Sequence, residues 1–126
     1  MNRKDLLKKV KQRKAQIDMT IDNIAKLSKL GNRTVVRFFS GEDVKLSTLE
    51  KITNILGLDF AGNEIVNIET LKEQRARERA IYIVSLVQDT SALEMQGLER
   101  RELDILIEET KREFLYGEYQ KNLWAS

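Results

Sequence analysis

The chain has 126 residues, of which 41% are hydrophobic and 33% charged, so it suits one ordinary domain or two very small ones and is not a disordered chain. It contains no Cys, His or Pro, which excludes a Cys nucleophile, a His general base, disulfides and the usual zinc sites. The net charge of +2 divides into +6 for residues 1–60 and −4 for residues 61–126. A basic part joined to an acidic part indicates that one part faces a polyanion, and a chance fluctuation in a lysine-rich surface is the alternative.

Four helices are predicted in residues 1–60, because apolar residues recur there at helical spacing. Asp18 or Thr20 offers a side-chain oxygen as the N-cap of the second helix. Gly41 ends the third helix at a position suited to a left-handed backbone, and Gly57 ends the fourth. The apolar residues of the four helices are, in chain order, Leu6, Leu7, Val10 and Ile17; Ile21, Ile24, Ala25 and Leu27; Val35, Phe38 and Phe39; and Leu49, Ile52, Ile55 and Leu56.

Three capping boxes, each a Ser or Thr followed three residues later by Glu, predict further helix starts. The box at Ser47 opens the fourth helix, and the box at Thr70 opens a long helix. The box at Ser91 opens a short helix that ends near Gly97. A last helix is predicted over about 99–116, with Leu103, Leu106, Ile107 and Phe114 inward.

The chain is predicted to be all-α, with a domain of four to five helices over 1–60 and a helical region over 68–126. Residues 61–67 are interpreted as the linker between them. A short strand could form at 64–68, where two isoleucines and a valine follow a Gly-Asn turn. One such strand would be marginal unless it pairs with a copy from a second chain.

The stretch from Thr20 to Gly57 carries the strongest indication of function. It contains TIDNIAKLSKLGNRTVVRFFSG and then LSTLEKITNILGLD. Over roughly residues 3–58 the sequence resembles the Cro/lambda-repressor-like, or Xre-type, helix-turn-helix family. The matching residues are Thr20 as an N-cap, the pair Ile24 and Ala25, Val35 and Phe38 on the buried side of the third helix, Gly41 at its end, and Leu49, Ile52, Leu56 and Gly57 in the next helix.

The resemblance implies that the third helix enters the major groove of duplex DNA. By position in the family, the base-contacting residues are Asn32, Arg33, Thr34, Val36 and Arg37. The residues that match phosphate-contacting positions are Thr20, Ser40, Gly41 through its amide, and Lys45. The chemistry agrees, because Arg pairs bidentately with guanine, Asn pairs with adenine, and Thr or Val methyl groups can contact thymine.

Two residues depart from the family pattern. Lys29 stands where the turn usually has Gly, so either Lys29 accepts an awkward backbone or the turn is rebuilt around Gly31. Phe39 stands where the family often has a Glu that pairs with an Arg of the first helix. We expect Phe39 to pack on the first helix or on the C-terminal half instead.

The C-terminal region is expected to build a homodimer interface from apolar helix faces, helped by strand exchange over 65–68. Arg75 and Arg79, four residues apart, could form a second phosphate-facing stripe. The ordinary interpretation is a solvated helix with weak ion pairs. Trp124 is expected to pack on its own fold or on a second chain.

These observations predict a sequence-specific, double-stranded DNA-binding transcriptional regulator, a repressor that binds a palindromic operator as a homodimer. The alternative is the antitoxin of a toxin–antitoxin pair, whose C-terminal region covers a toxin while its N-terminal domain represses its own operon. No nucleophile–base arrangement is present, so we expect no enzymatic activity, cofactor or metal. No run approaches the roughly 20 apolar residues of a membrane span, and the chain opens on an amphipathic pattern, so we expect a cytoplasmic protein.

Overall fold

A computed structural model describes residues 2–94 and 100–125. These residues form six α-helices and one short 3-10 helix without any strand, so the fold is all-α as predicted. The helices are α1 (Arg3–Gln16), α2 (Ile21–Ser28), α3 (Asn32–Phe39), α4 (Leu46–Ile55), α5 (Ile68–Glu94) and α6 (Arg100–Tyr116), followed by the 3-10 helix (Gln120–Asn122). Within this part of the chain, none of the helices combines the length and the apolar character needed to cross a bilayer.

The chain divides into two compact units, and the boundary falls in the first turns of α5. The first unit ends at Leu71 and the second runs from Lys72 to Ala125. In the first unit, α2 packs against both α3 and α4. The predicted apolar faces meet in its core, where the most deeply buried side chains are Val10, Ile17, Ile24, Val35, Ile52 and Leu56.

Three predicted helix boundaries in the first unit are confirmed. Thr20 is the N-cap of α2: its hydroxyl accepts from the Asn23 amide and its own amide donates to the Asn23 side chain, both at 3.0 Å. Gly41 and Gly57 follow the C-caps of α3 and α4 with φ of +88° and +71°. Both glycines therefore adopt the left-handed backbone that ends a helix without a Cβ clash.

The three capping boxes are wrong. α4 begins at Leu46 with Lys45 as its cap, so Ser47 lies inside the first turn. α5 begins at Ile68 because the Asn67 side chain accepts from the Thr70 amide at 2.8 Å and starts the helix earlier. Ser91 lies within α5, which continues to Glu94, and the predicted end near Gly97 lies outside the described residues.

The strand predicted at 64–68 is also wrong. The only extended pairing in this described stretch is an isolated antiparallel bridge between Leu58 and Glu64. The amides of Ile65 and Val66 both donate to the Gly57 carbonyl, at 2.9 and 3.1 Å, and Ile68 already belongs to α5. Since these donors are used within the unit, they are not available for the strand exchange that we expected.

The segment predicted as a linker is packed against α1. The buried Arg13 side chain donates through Nε to the Leu56 carbonyl at 2.8 Å and through Nη2 to the Val66 carbonyl. Its Nη1 forms an ion pair with Glu64 at 2.5 Å. Lys9 adds a hydrogen bond to the Asn63 side chain at 3.0 Å. Residues 61–67 are therefore part of the first unit and do not form a separate spacer.

The second unit is an antiparallel pair of helices closed by the C-terminal tail. The start of α5 meets the end of α6 through the ion pair of Glu73 with Lys111, at 3.3 Å, and Arg77 reaches Glu108 at 3.5 Å. Phe114 is buried, whereas Leu103, Leu106 and Ile107, also predicted to face inward, are only half-buried. In the tail, Trp124 is buried, which agrees with packing on its own fold.

Candidate nucleic-acid interface

The turn between α2 and α3 is built on Lys29. Lys29 has a left-handed backbone with φ +60° and ψ +37°, whereas Gly31 is extended with φ −71°. The Leu30 amide donates back to the Ala25 carbonyl at 2.9 Å, which closes the end of α2. The first of the two alternatives from the sequence is therefore correct: Lys29 accepts the awkward backbone and the turn is not rebuilt around Gly31.

α3 has one anchored face and one exposed face. Val35, Phe38 and Phe39 are buried, and Phe39 packs edge-on against Phe38 with ring centroids 5.1 Å apart. On the other side, Thr34 is half-buried and the remaining residues are exposed. We call this exposed set the outer face of α3, and its members are Asn32, Arg33, Val36 and Arg37.

The two arginines of the outer face have no partner within the described part of the chain. Arg33 and Arg37 lie one helical turn apart, and neither guanidinium forms an ion pair or hydrogen bond with any described residue. Each presents five N–H donors to solvent in a planar fork. Such a pair can bind a guanine edge or a phosphate without first breaking an internal contact.

Asn32 is held at its amide end. Its Nδ2 donates to Oδ1 of Asp22, in the first turn of α2, over a long 3.4 Å. The other carboxylate oxygen of Asp22 forms an ion pair with Lys26 at 3.1 Å. No sequence pattern indicates this contact, because the spacing of Asp22 and Lys26 predicts only an ordinary ion pair on the surface of one helix.

The residues at phosphate-matching positions differ in the donors that they still offer. The Thr20 hydroxyl accepts from an amide and keeps its own hydrogen, and the Lys45 ammonium is exposed. The Ser40 hydroxyl donates to the Val36 carbonyl at 2.9 Å. The Gly41 amide donates to the Phe38 carbonyl at 3.0 Å. A phosphate could therefore use Thr20 and Lys45 directly, whereas Ser40 and Gly41 would have to release an internal hydrogen bond.

The start of α4 adds donors that the sequence did not predict. Because Lys45 caps the helix without a side-chain hydrogen bond, the amides of Leu46 and Ser47 have no partner among the described residues. With Ser47 predicted as the cap, the amides of Leu46 and Ser47 are not expected to lie in the first turn of the helix. Unpaired amides in the first turn of a helix favour a nearby anion.

Arg3 fixes the segment that follows α3. Its Nη1 forms an ion pair with Asp43 at 2.6 Å, and its Nη2 donates to the Gly41 carbonyl. This contact joins α1 to the segment that follows α3. The sequence indicated no role for Arg3, since its partner lies 38 positions away.

The second arginine pair, in α5, is engaged. Arg75 donates through Nε to the Leu123 carbonyl at 2.9 Å and through Nη2 to the Ala125 carbonyl. The Arg79 guanidinium lies 5.4 Å from the ring centre of Phe114. Arg75 also forms an ion pair with Glu78 at 3.7 Å, as the ordinary interpretation expected, but both arginines are half-buried and the helix face is not fully solvated. Their contacts within the second unit leave no described support for a phosphate-facing stripe.

Within the described residues, no group of acidic side chains could hold a metal ion. Comparison of the chain with protein-family models, with curated proteins and with solved structures gave no match.

Proposed function

We propose that the chain binds duplex DNA sequence-specifically and acts as a transcriptional repressor, with α1–α4 as a helix-turn-helix domain. The observation that carries the proposal is the division of α3: Val35 and Phe38 anchor it in the core, while Arg33 and Arg37 stand exposed and unpaired in the part of the chain that the structure describes. A recognition helix needs both properties, because base reading requires a rigid backbone and polar groups that reach outward.

The outer face carries a chemistry that can distinguish base pairs. Arg33 and Arg37 pair bidentately with guanine O6 and N7, and Asn32 pairs with adenine N6 and N7. Val36, 45% exposed, and the Thr34 methyl contact thymine methyl groups. The major groove of B-DNA, about 12 Å wide, admits one helix with these side chains.

Phosphate contacts fix the register of α3 on the duplex. Thr20 and Lys45 supply them, together with the amides of Leu46 and Ser47, which have no partner among the residues described. Such contacts carry no sequence information, but they release counterions from the DNA, so binding weakens steeply as salt rises.

Two copies read one operator in this proposal. An α3 of only 8 residues contacts few base pairs, and a two-fold symmetric site with half-sites about 34 Å apart doubles the contacts. The second unit supplies the homodimer interface from apolar side chains that are exposed in the single chain: Ile81 and Tyr82 of α5 and Ile105 of α6. Sedimentation equilibrium tests this step. If the 126-residue chain is monomeric, this step is contradicted and that surface is left to a different partner, as in the antitoxin alternative.

Selection of bound sites from random duplexes tests the function as a whole. We expect an enriched two-fold symmetric sequence, and an affinity that falls steeply between about 50 and 200 mM salt. The matched pair of variants is Arg37→Ala and Arg101→Ala, since each removes one exposed cation but only Arg37 lies on the outer face. Arg37→Ala should lose the preference at one base pair of each half-site. No enrichment, or equal effects of the two variants, contradicts the proposal.

A further inference from the structure

A carboxylate beside the outer face of α3 faces the residue proposed to read adenine. Asp22 is exposed, and its two oxygens have different partners: Oδ1 accepts from Asn32 at 3.4 Å and Oδ2 pairs with Lys26 at 3.1 Å. An acidic side chain close to a polyanion lowers affinity through repulsion. Its presence at this point therefore calls for a compensating role.

The contact favours one orientation of the Asn32 amide. An ionised carboxylate only accepts hydrogen bonds, so the end that faces Asp22 is the amino group. The carbonyl oxygen and the second amino hydrogen of Asn32 stay available. Adenine requires this arrangement, since its N6 donates to an amide oxygen while its N7 accepts from an amide hydrogen.

Lys26 fixes the carboxylate in turn. It lies one turn further along α2 and holds the oxygen of Asp22 that Asn32 does not use. The three side chains therefore form a chain of contacts from Lys26 through Asp22 to Asn32.

We propose that Asp22 is a positioning residue that orients the Asn32 amide for adenine and so sets the sequence preference at one base pair. The inference rests on the proposed function. The side chain of Asp22 acts through Asn32 and does not itself contact a base, so removing it lowers discrimination while the loss of a negative charge raises affinity for every sequence.

The experiment measures the relative affinity of the 126-residue chain for all four base pairs at each operator position. Asn32→Ala identifies the position that Asn32 reads. At that position, Asp22→Ala should lower the preference by about 3- to 10-fold, part of the discrimination that a bidentate pair provides. Asp22→Asn should restore most of it, because an amide oxygen still accepts from Asn32. Glu42→Ala is the control: it removes an exposed acid just beyond α3 that has no side-chain contact with Asn32 in the described structure.

The double variant Asp22→Ala/Asn32→Ala separates positioning from a general effect. We expect Asp22→Ala to change no base preference once Asn32 is absent. An unchanged preference in Asp22→Ala, a change that persists without Asn32, or a shift equal to that of Glu42→Ala overturns the inference while DNA binding itself stands. A wild-type chain without any salt-dependent duplex binding overturns the proposed function and this inference together.

Discussion

The two units each contain a pair of arginines four residues apart on a helix, and the pairs differ in what they contact. Arg75 binds two backbone carbonyls, its side chain is 17% exposed, and burial lowers its pKa. Arg79 stacks on Phe114. Arg33 and Arg37 have the same spacing on α3 but stay exposed, with no partner in the described ranges.

The difference shows that spacing alone does not determine the role of an arginine. The carbonyls of Leu123 and Ala125, 48 and 50 positions away, contact Arg75, whereas no described residue forms an ion pair or hydrogen bond with Arg37. An engaged arginine contributes to the free energy of unfolding, and an unpaired one is available to a ligand. Substitutions should therefore separate stability from binding, and the following experiments test that separation.

The largest loss of stability is expected for Arg13, the most engaged arginine of the first unit. Arg13→Met removes two charge-assisted bonds to carbonyls and one ion pair, and should lower the free energy of unfolding by about 3–5 kcal/mol. Urea denaturation measures the change. Glu64→Gln is the control, with a loss of about 1 kcal/mol or less, because the Glu64 side chain is 52% exposed. A loss under 1 kcal/mol for Arg13→Met contradicts the assigned role.

Arg75→Met should lower the free energy of unfolding by about 2–3 kcal/mol, since it releases the C-terminal tail from α5. The chain has one tryptophan, Trp124, so its fluorescence reports directly on the tail. We expect the emission to shift to longer wavelength as Trp124 becomes solvated. Operator affinity per folded molecule should not change if the first unit carries DNA binding. Unchanged emission together with unchanged stability refutes this prediction.

Arg37→Ala should lower operator affinity and leave stability unchanged, the reverse of the result expected for Arg75→Met. It should weaken binding to the preferred operator by about 1–3 kcal/mol and leave the free energy of unfolding within about 0.5 kcal/mol. Arg37→Lys keeps the charge but loses the planar fork, so it should retain affinity for unrelated duplexes while losing discrimination. Fluorescence anisotropy with matched and mismatched duplexes measures both. Destabilisation as large as that of Arg75→Met shows that Arg37 is engaged after all.

The fold was predictable where one local interaction decides the structure. Apolar periodicity located the faces of α1–α4, and Gly41 and Gly57 marked helix ends. Of the two N-cap candidates for α2, Asp18 and Thr20, the structure has Thr20. Ser47 and Thr70 failed as caps because α4 and α5 begin at earlier residues, and Asn67 starts α5. A capping box is a local pattern, and it does not tell which of several adjacent residues begins the helix.

Contacts between distant residues were not predictable. Arg75 lies 48 positions from Leu123, and Arg13 lies 53 positions from Val66, so no window of sequence shows either pair. The exposed outer face of α3 followed from its pattern, because α3 is short and strongly two-sided. The internal hydrogen bonds of Ser40 and Gly41 did not follow from the pattern, since a hydroxyl or an amide can donate to its own helix without any recognisable sequence motif.

A smaller effect is expected at Lys29, which tests the turn that carries α3. Lys29→Gly removes a Cβ from a left-handed backbone and should raise the free energy of unfolding by about 1 kcal/mol. Lys29→Asn should give part of this gain, because Asn tolerates that conformation better than Lys. Lys29→Gln, which removes the charge alone, is the control. A gain in Lys29→Gln equal to that in Lys29→Gly shows that charge and not backbone strain limits the turn.

The smallest expected effect distinguishes the units by pH. Hydrogen bonds from the Asn63 and Ala61 amides lower the pKa of Asp59 in the first unit. The contribution of Asp59 to the free energy of unfolding is therefore complete above the unfolded pKa of about 3.9 and is lost as pH falls through the native pKa. In the second unit, hydrogen bonding to Glu108 raises the pKa of Lys111. The contribution of Lys111 to the free energy of unfolding is therefore complete below the unfolded pKa of about 10.4 and is lost as pH rises through the native pKa. Asp59→Asn should therefore weaken the acid dependence of unfolding and Lys111→Gln the alkaline dependence, as measured by urea midpoints across pH. If each variant changed the acid dependence and the alkaline dependence of unfolding alike, Asp59 and Lys111 would not stabilise their units through the local contacts described.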